Sequence, residues 1–415
     1  MTTAVGRVGN ATRSLLIVVG DHSADRYTAK IIERLLDLDP ELQIYGVGGH
    51  NMKAAGMELM LDSTEHSVVG FFEVIPKVNY FLRLSKMLQD SIKERKPRAI
   101  FLVDNGGFNT KLAPAIRKFD TTTPIYYFIS PQIWGSRPWR IIRMRKSLTK
   151  MLTIFPFEEG LYNSQNLPAR FVGHPLTTVV PQLSEVEDRE SFCKRHGIDA
   201  AHCLIAIMPG SRKGEIREHM PVAIDAIKML LKHRPKTSFV ISVASHKTRQ
   251  MIADSLEKGF SKDELCELLN KKLFVLDAVE NYPLMKNADL AWAKSGTTTL
   301  EVTLFGTPMI IFYRANWLSY FIFLFAKTIK HVGWPNLLAG KYLVPELLQL
   351  DCRGEMLVKY SLDMLDVPAL RNDIKAELLN LRKELGSGDF IENCAQELLA
   401  AINANDPNPD TDTCR

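Results

Sequence analysis

Ser295-Gly296-Thr297-Thr298-Thr299-Leu300-Glu301 is the stretch in which residue types and spacing most directly suggest chemistry. It lies between two apolar runs, Leu290–Ala293 and Met309–Phe312, and Gly306-Thr307-Pro308 closes it. The pattern predicts a strand, a small-residue turn, a helix and another strand. Such a turn leaves backbone N–H groups free at the helix start, where the positive end of the dipole favours an anion. Glu301 follows one helical turn after Thr297 on the same face. A carboxylate there suits the two hydroxyls of a ribose. Turn and acid together describe a nucleoside diphosphate site. The plainer alternative is a helix with a Ser/Thr N-cap and a solvated glutamate.

Pro209-Gly210-Ser211-Arg212-Lys213-Gly214-Glu215 forms a second turn of this kind, with cations at a helix start. GxxxxGK[ST] is absent, so it is not a P-loop. The alternative is a basic surface turn. Asp104 ends the apolar run Ala99–Val103 and precedes Asn105-Gly106-Gly107. A carboxylate at a strand's C-terminal end suits a general base, or an Asx-turn. Gly20-Asp21-His22-Ser23-Ala24-Asp25 opens a helix without GxGxxG, so no dinucleotide fingerprint is present. Ser23 either caps that helix or meets a phosphate of an acceptor.

Trp134–Lys150 interleaves Arg137, Arg140, Arg143, Arg145, Lys146 and Lys150 with Trp134, Trp139, Ile141, Ile142 and Met144. That mixture suits an anionic membrane surface, with nucleic acid and a solvated helix face as rivals. Trp317–Ala326, with Phe321 and Phe323, is too short to span a bilayer. It reads as a core or dimer-interface helix, or as a patch touching lipid chains. His174 is the best-placed histidine, at a domain junction, and no His/Cys/Asp/Glu spacing suggests a metal site.

The elements that must position these residues alternate. Strands are predicted at Ser14–Gly20, Gln43–Gly48, Ala99–Val103, Ile125–Ile129 and Met151–Phe155. A second run covers Cys203–Met208, Ser238–Val243, Lys272–Leu276, Leu290–Ala293 and Met309–Phe312. Helical patterns lie between them, including Val74–Glu94. The alternation predicts an α/β protein of two Rossmann-like, doubly wound parallel-sheet domains facing a central cleft, with ligands at the C-terminal strand ends. The boundaries are 1–175 and 176–366, then terminal helices over 367–403 that pack back on the first domain, and a disordered tail over 404–415. At 415 residues and 46% apolar the chain has room for two such cores. Its net charge of +5 does not by itself indicate nucleic acid. Six scattered cysteines without a CxxC pair argue against zinc and against a disulfide framework, and fit a reducing compartment. With no signal peptide and no membrane span, a cytoplasmic chain is expected.

Taken together, these stretches resemble the lipid-A-disaccharide synthases, inverting glycosyltransferases of the GT-B type. The resemblance runs over about residues 14–350. It rests on Val68–Val74 (VVGFFEV), Val103–Asn109 (VDNGGFN), Ser130–Trp134 (SPQIW), Phe155–Glu158 (FPFE), Gly173-His174-Pro175, Pro209–Arg212 with Glu215, Ser295–Glu301 and Pro335–Gly340 (PNLLAG). It implies transfer of a diacylated glucosamine from its UDP donor to a diacylated glucosamine 1-phosphate. It implies Asp104 as the base for the acceptor's 6-hydroxyl. Arg212, Ser211 and Ser295-Gly296-Thr297 would hold the diphosphate and Glu301 the ribose, with Asn336 near the donor. Asp21, Ser23, Asn109, Ser130 and His174 fall on the acceptor side. Lipid substrates give Trp134, Trp139, Arg140, Arg143, Phe321 and Phe323 a purpose at the inner face of the cytoplasmic membrane. No metal, no further cofactor and no nucleic acid are expected; a second copy of the chain is a candidate partner.

Three positions depart from the family pattern, all on the acceptor side. Asp21 replaces a glutamate and Ala24 a glycine, Asn105-Gly106 stands where a proline usually follows, and Gly135-Ser136 replaces Ala-Trp. A related transferase with another acceptor, an epimerase-type relative and a fold-retaining protein without chemistry therefore stay open.

Overall fold

The structure, a computed structural model, describes residues 13–63, 78–135, 138–314 and 330–405. Phe321 and Phe323, the run Trp317–Ala326 and the stretch Val68–Val74 lie outside the described residues.

The chain forms two compact units, Met1–Pro175 with Gly386–Arg415, and Leu176–Leu385. In the first, β1 (Ser14–Val19), β2 (Gln43–Gly48), β3 (Glu58–Asp62), β4 (Ala99–Val103), β5 (Ile125–Phe128), β6 (Lys150–Thr153) and β7 (Ala169–Phe171) form one sheet in the order β3-β2-β1-β4-β5-β6-β7. In the second, β8 (Cys203–Met208), β9 (Thr237–Val243), β10 (Leu273–Asp277), β11 (Leu290–Lys294), β12 (Met309–Tyr313) and β13 (Glu346–Leu348) are ordered β10-β9-β8-β11-β12-β13. Every pairing is parallel. The central strands are buried on both faces, as helix-covered parallel sheets require, which is why they read as unbroken apolar runs.

β3, β7 and β13 were not expected from the sequence. All three are edge strands of three to five residues, and β3 and β13 are only partly buried, so nothing enforces an apolar run. β5 stops at Phe128 rather than at Ile129, because Ile129 has φ +61°. A β-branched residue in the left-handed region costs on the order of 1–3 kcal/mol and turns the chain out of the sheet.

Of the terminal helices, Gly354–Asp366 and Pro368–Glu384 belong to the second unit. Phe390–Ala404 belongs to the first. It buries Phe390, Cys394, Leu398 and Ile402, and Phe390 stacks on Phe128 at 6.1 Å. Glu392 pairs with Arg34 at 2.6 Å, Glu397 pairs with Lys150 at 2.8 Å and with Arg170, and Asn393 Nδ2 donates to the Val172 carbonyl.

Candidate functional site

In each sheet the strand order reverses once, between β1 and β4 and between β8 and β11. Beyond such a reversal the flanking helices diverge and leave a crevice at the C-terminal strand ends. Asp21 and Asp104 of the first unit, and the turns after β8 and β11 of the second, lie there.

In the first unit Val19 pairs with Val103, so Asp21 and Asp104 leave adjacent strands side by side. Asp21 caps the helix His22–Leu38, accepting from Ala24 N at 2.9 Å. The cap is therefore Asp21 and not Ser23, which is exposed on the first turn. Asp104 and Asn105 have φ +47° and +45°, a left-handed pair at the strand end. That turn is pinned from behind. Asn109 Nδ2 donates to the Val103 carbonyl at 3.1 Å and the Asp104 carbonyl at 3.0 Å, and the Tyr127 hydroxyl donates to the Asp104 carbonyl. Asn109 thus shapes the turn from the buried side. Burial, then the negative charge of Asp21 and a hydrogen bond from it, push the Asp104 carboxyl up to about 7. A group poised there is suited to take a proton near neutrality.

Asp104 is the shared wall of two cavities. One, of about 390 Å³, is lined by Asp21, Ser63, Tyr80, Phe81 and Leu84. The other, of about 400 Å³, is lined by Ile129, Ser130, Gln132, Arg140 and Phe155. Ser130 Oγ donates to the Pro131 carbonyl at 3.0 Å and hydrogen-bonds the Tyr162 hydroxyl, so it orders the loop that forms this second wall. His174 lies buried against Phe155, ring centres 5.1 Å apart, and burial pushes it down to about 3. It is neutral at physiological pH and supports the wall without titrating.

The Trp/Arg stretch divides. Trp134 turns inward: its Nε1 donates to Glu158 at 2.9 Å, and its ring meets Phe157 edge-on. Burial pushes Glu158 up to about 7. Arg140 lines the second cavity. Trp139, 63% exposed, Ile142, and the cations Arg143, Arg145 and Lys146 face outward.

In the second unit Met208 pairs with Ala293, which brings both phosphate-type turns together. The turn after β8 differs from expectation. Its N–H groups are taken by the chain's own carboxylate, since Glu215 accepts from Ser211 N at 2.9 Å and Arg212 N at 3.1 Å. Gly210 permits this at φ +121°, for a Cβ there would lie 2.4 Å from Glu215 Oε2. An anion at this turn must therefore meet side chains, and the Arg212 side chain is 71% exposed.

The strand β11 ends in a residue the sequence reading passed over. Lys294 Nζ lies 3.2 Å from Glu215 Oε1, and a Cβ on Gly296, at φ +136°, would meet that nitrogen at 2.9 Å. Burial alone would raise Glu215; Lys294 and the two N–H bonds outweigh it and hold the carboxyl below its usual value. The only available signal was a cation closing the apolar run Leu-Ala-Trp-Ala. The helix Thr297–Phe305 then starts with Gly296 at the N-cap position and no side-chain cap, leaving N–H groups for a ligand. Ser295 Oγ donates to the Val332 carbonyl at 3.4 Å and Thr297 is exposed. Glu301 is half-buried. Burial, opposed by a hydrogen bond from Tyr282, pushes it up to about 7.

Asn336, expected near the donor, is engaged within the protein. Its Nδ2 donates to the Val344 carbonyl and Glu346 Oε1, and its Oδ1 accepts from Leu343 N and Val344 N, all at 2.8 Å. Both donors and both lone pairs are used within the protein. His219, which the sequence did not single out, is likewise buried. Its Nδ1 donates to the Pro209 carbonyl at 2.7 Å and its Nε2 accepts from Arg314 N at 3.0 Å, tying the turn after β8 to the end of β12.

Among the described residues no helix is long and apolar enough to cross a membrane, and no group of three or more His, Cys, Asp or Glu could hold a metal ion.

Known proteins agree with this layout. Solved structures with the same fold include a UDP-N-acetylglucosamine 2-epimerase from Listeria monocytogenes, described as putative (TM-score 0.59, 12% identity, 94% of this chain and 96% of that one). Another is a glycosyltransferase from Rickettsia africae (TM-score 0.56, 11% identity, 95% and 98%). These fix the fold as two Rossmann-like units of the GT-B type. Lipid-A-disaccharide synthase of Syntrophus aciditrophicus is 32% identical over 395 residues, 95% of this chain and 99% of its own. Lipid-A-disaccharide synthase 1 of Legionella pneumophila is 33% identical over 378 residues, 91% and 94%. The family model for lipid-A-disaccharide synthetase matches residues 15–401. With that span matched end to end through both strand-end sites, the chain belongs to the lipid-A-disaccharide synthetase family.

Proposed function

We propose that the chain transfers 2,3-diacylglucosamine from UDP-2,3-diacylglucosamine to 2,3-diacylglucosamine 1-phosphate, with inversion, giving the β(1→6)-linked disaccharide and UDP. The observation that carries the residue roles is the pair of strand-end sites: a carboxyl poised near 7 in one unit, and Arg212, Lys294 and an uncapped helix start in the other. Asp104 takes the proton of the acceptor's 6-hydroxyl as that oxygen attacks the anomeric carbon. The bond from that carbon to the diphosphate oxygen breaks, and the electron pair leaves with UDP. Arg212, Lys294 and the N–H groups after Gly296 meet the negative charge that grows there. Glu301 accepts from the ribose hydroxyls. This set supplies the charge stabilisation from the chain itself, and we assign the reaction no metal or further cofactor.

Trp139, Ile142 and the cations Arg143, Arg145 and Lys146 suit a peripheral seat on an anionic membrane, at its cytoplasmic face where UDP-sugars are found. Purified protein should release UDP from the diacylated donor only when the acylated 1-phosphate acceptor is present, and should yield a disaccharide. UDP binding without any release under those conditions would overturn the assignment.

A further inference from the structure

Resting on the function just stated, we propose that the cavity between Asp104 and Arg140 is the subsite for the acceptor's anionic phosphate. The two cavities that meet at Asp104 differ in charge: among the described residues an arginine lines one, and no lysine or arginine lines the other. Beyond Asp104 on one side lie Tyr80, Phe81 and Leu84 together with Asp21, Ser23 and Ser63. On the other lie Ser130, Gln132 and Arg140, with Ile129, Ile133 and Phe155. Asp104 and Arg140 both line this second cavity, so a carboxyl and a cation-bearing residue share it. In the proposed acceptor the 1-phosphate and the 6-hydroxyl flank the ring oxygen, one on C1 and the other on C6 beyond C5, while the acyl groups sit on C2 and C3. With the hydroxyl at Asp104, the phosphate enters the Arg140 cavity, where a planar guanidinium forms paired hydrogen bonds to phosphate oxygens. Arg140 thereby selects acceptors that carry the phosphate, and its contribution falls on acceptor binding.

The test compares the phosphorylated acceptor with 2,3-diacylglucosamine bearing a free anomeric hydroxyl, in wild-type protein and in Arg140→Gln and Arg140→Lys. The Gln variant should raise KM for the phosphorylated acceptor roughly 10- to 100-fold, the loss of a charge-assisted bond, and leave KM for the unphosphorylated one unchanged. The Lys variant should fall between. An unchanged preference in Arg140→Gln, or an equal loss for both acceptors, overturns the subsite. A second readout needs no turnover: glucosamine 1-phosphate is titrated by phosphorus NMR against UDP-saturated protein. Broadening in wild type that disappears in Arg140→Gln supports the subsite even if no transfer occurs, in which case the transfer reaction itself is what fails. Equal broadening in both proteins removes the subsite whatever the enzyme does.

Discussion

Asp104 sits where three influences converge. A left-handed turn aims it, Asn109 and Tyr127 hold its backbone, and Asp21 together with burial sets its proton affinity. In the role proposed for it Asp104 works only when ionised, so kcat/KM should rise with pH up to about 7 and level off above it. Asp21→Asn removes the like charge, so the rise should move to lower pH, while burial, the larger cause, keeps it above the ordinary carboxylate range. A pH–rate profile of that variant superimposable on wild type would show that the two carboxyls do not communicate. Asp104→Asn should lower turnover by about 10²–10⁴-fold with UDP affinity intact, measured by calorimetry beside the assay. In the other unit Lys294, paired with Glu215 at 3.2 Å, is proposed to meet the diphosphate, so Lys294→Met should weaken UDP roughly 10- to 100-fold and leave uridine binding unchanged. Equal loss of both ligands would make Lys294 a prop for Glu215 instead. Asp104, Arg212 and Glu301 were legible as residue types at strand and helix ends. Lys294 was not, because its partner Glu215 is 79 residues away in sequence and only the β8–β11 pairing joins them.

The β-α units repeat one device: an apolar strand, a short turn, and a helix whose first turn is either capped from within or left open. Asp21 closes one start and Glu215 another, while Gly296 leaves a third open. Internal capping is invisible in a motif, because Gly-Ser-Arg-Lys-Gly-Glu reads equally as an anion cradle and as a self-satisfied turn. The same holds for Asn336, whose amide spans the connection from the helix Trp334–Ala339 to β13. Asn336→Ala should leave the buried Val344 N–H without a partner, at about 1–3 kcal/mol, strip the part-buried Leu343 N–H as well, and lower the thermal midpoint of the second unit. An unchanged midpoint would return Asn336 to the ligand side. Interior strands were readable because burial on both faces demands continuous apolar sequence. The three edge strands carry no such demand, and the parallel pairing of their neighbours is what recruits them.

Across the whole chain, the first unit is discontinuous. Its last helix, Phe390–Ala404, arrives after the entire second unit and fills the space against Phe128 and β4. Burying Phe390, Cys394, Leu398 and Ile402 is worth about 6–12 kcal/mol in transfer free energy, as much as an ordinary domain's net stability. A chain truncated after Leu385 should therefore lose protection of the first unit in limited proteolysis and keep a UDP-protected second unit. A truncated protein with both units resistant would show the helix to be dispensable. Biosynthesis inherits this arrangement. During translation the first 175 residues leave the ribosome early yet stay without one wall, while residues 176–385 can close their own core as soon as they emerge. The half made first is thus the half finished last, and the apolar surface awaiting Phe390 is exposed to chaperones for the time needed to synthesise some two hundred residues.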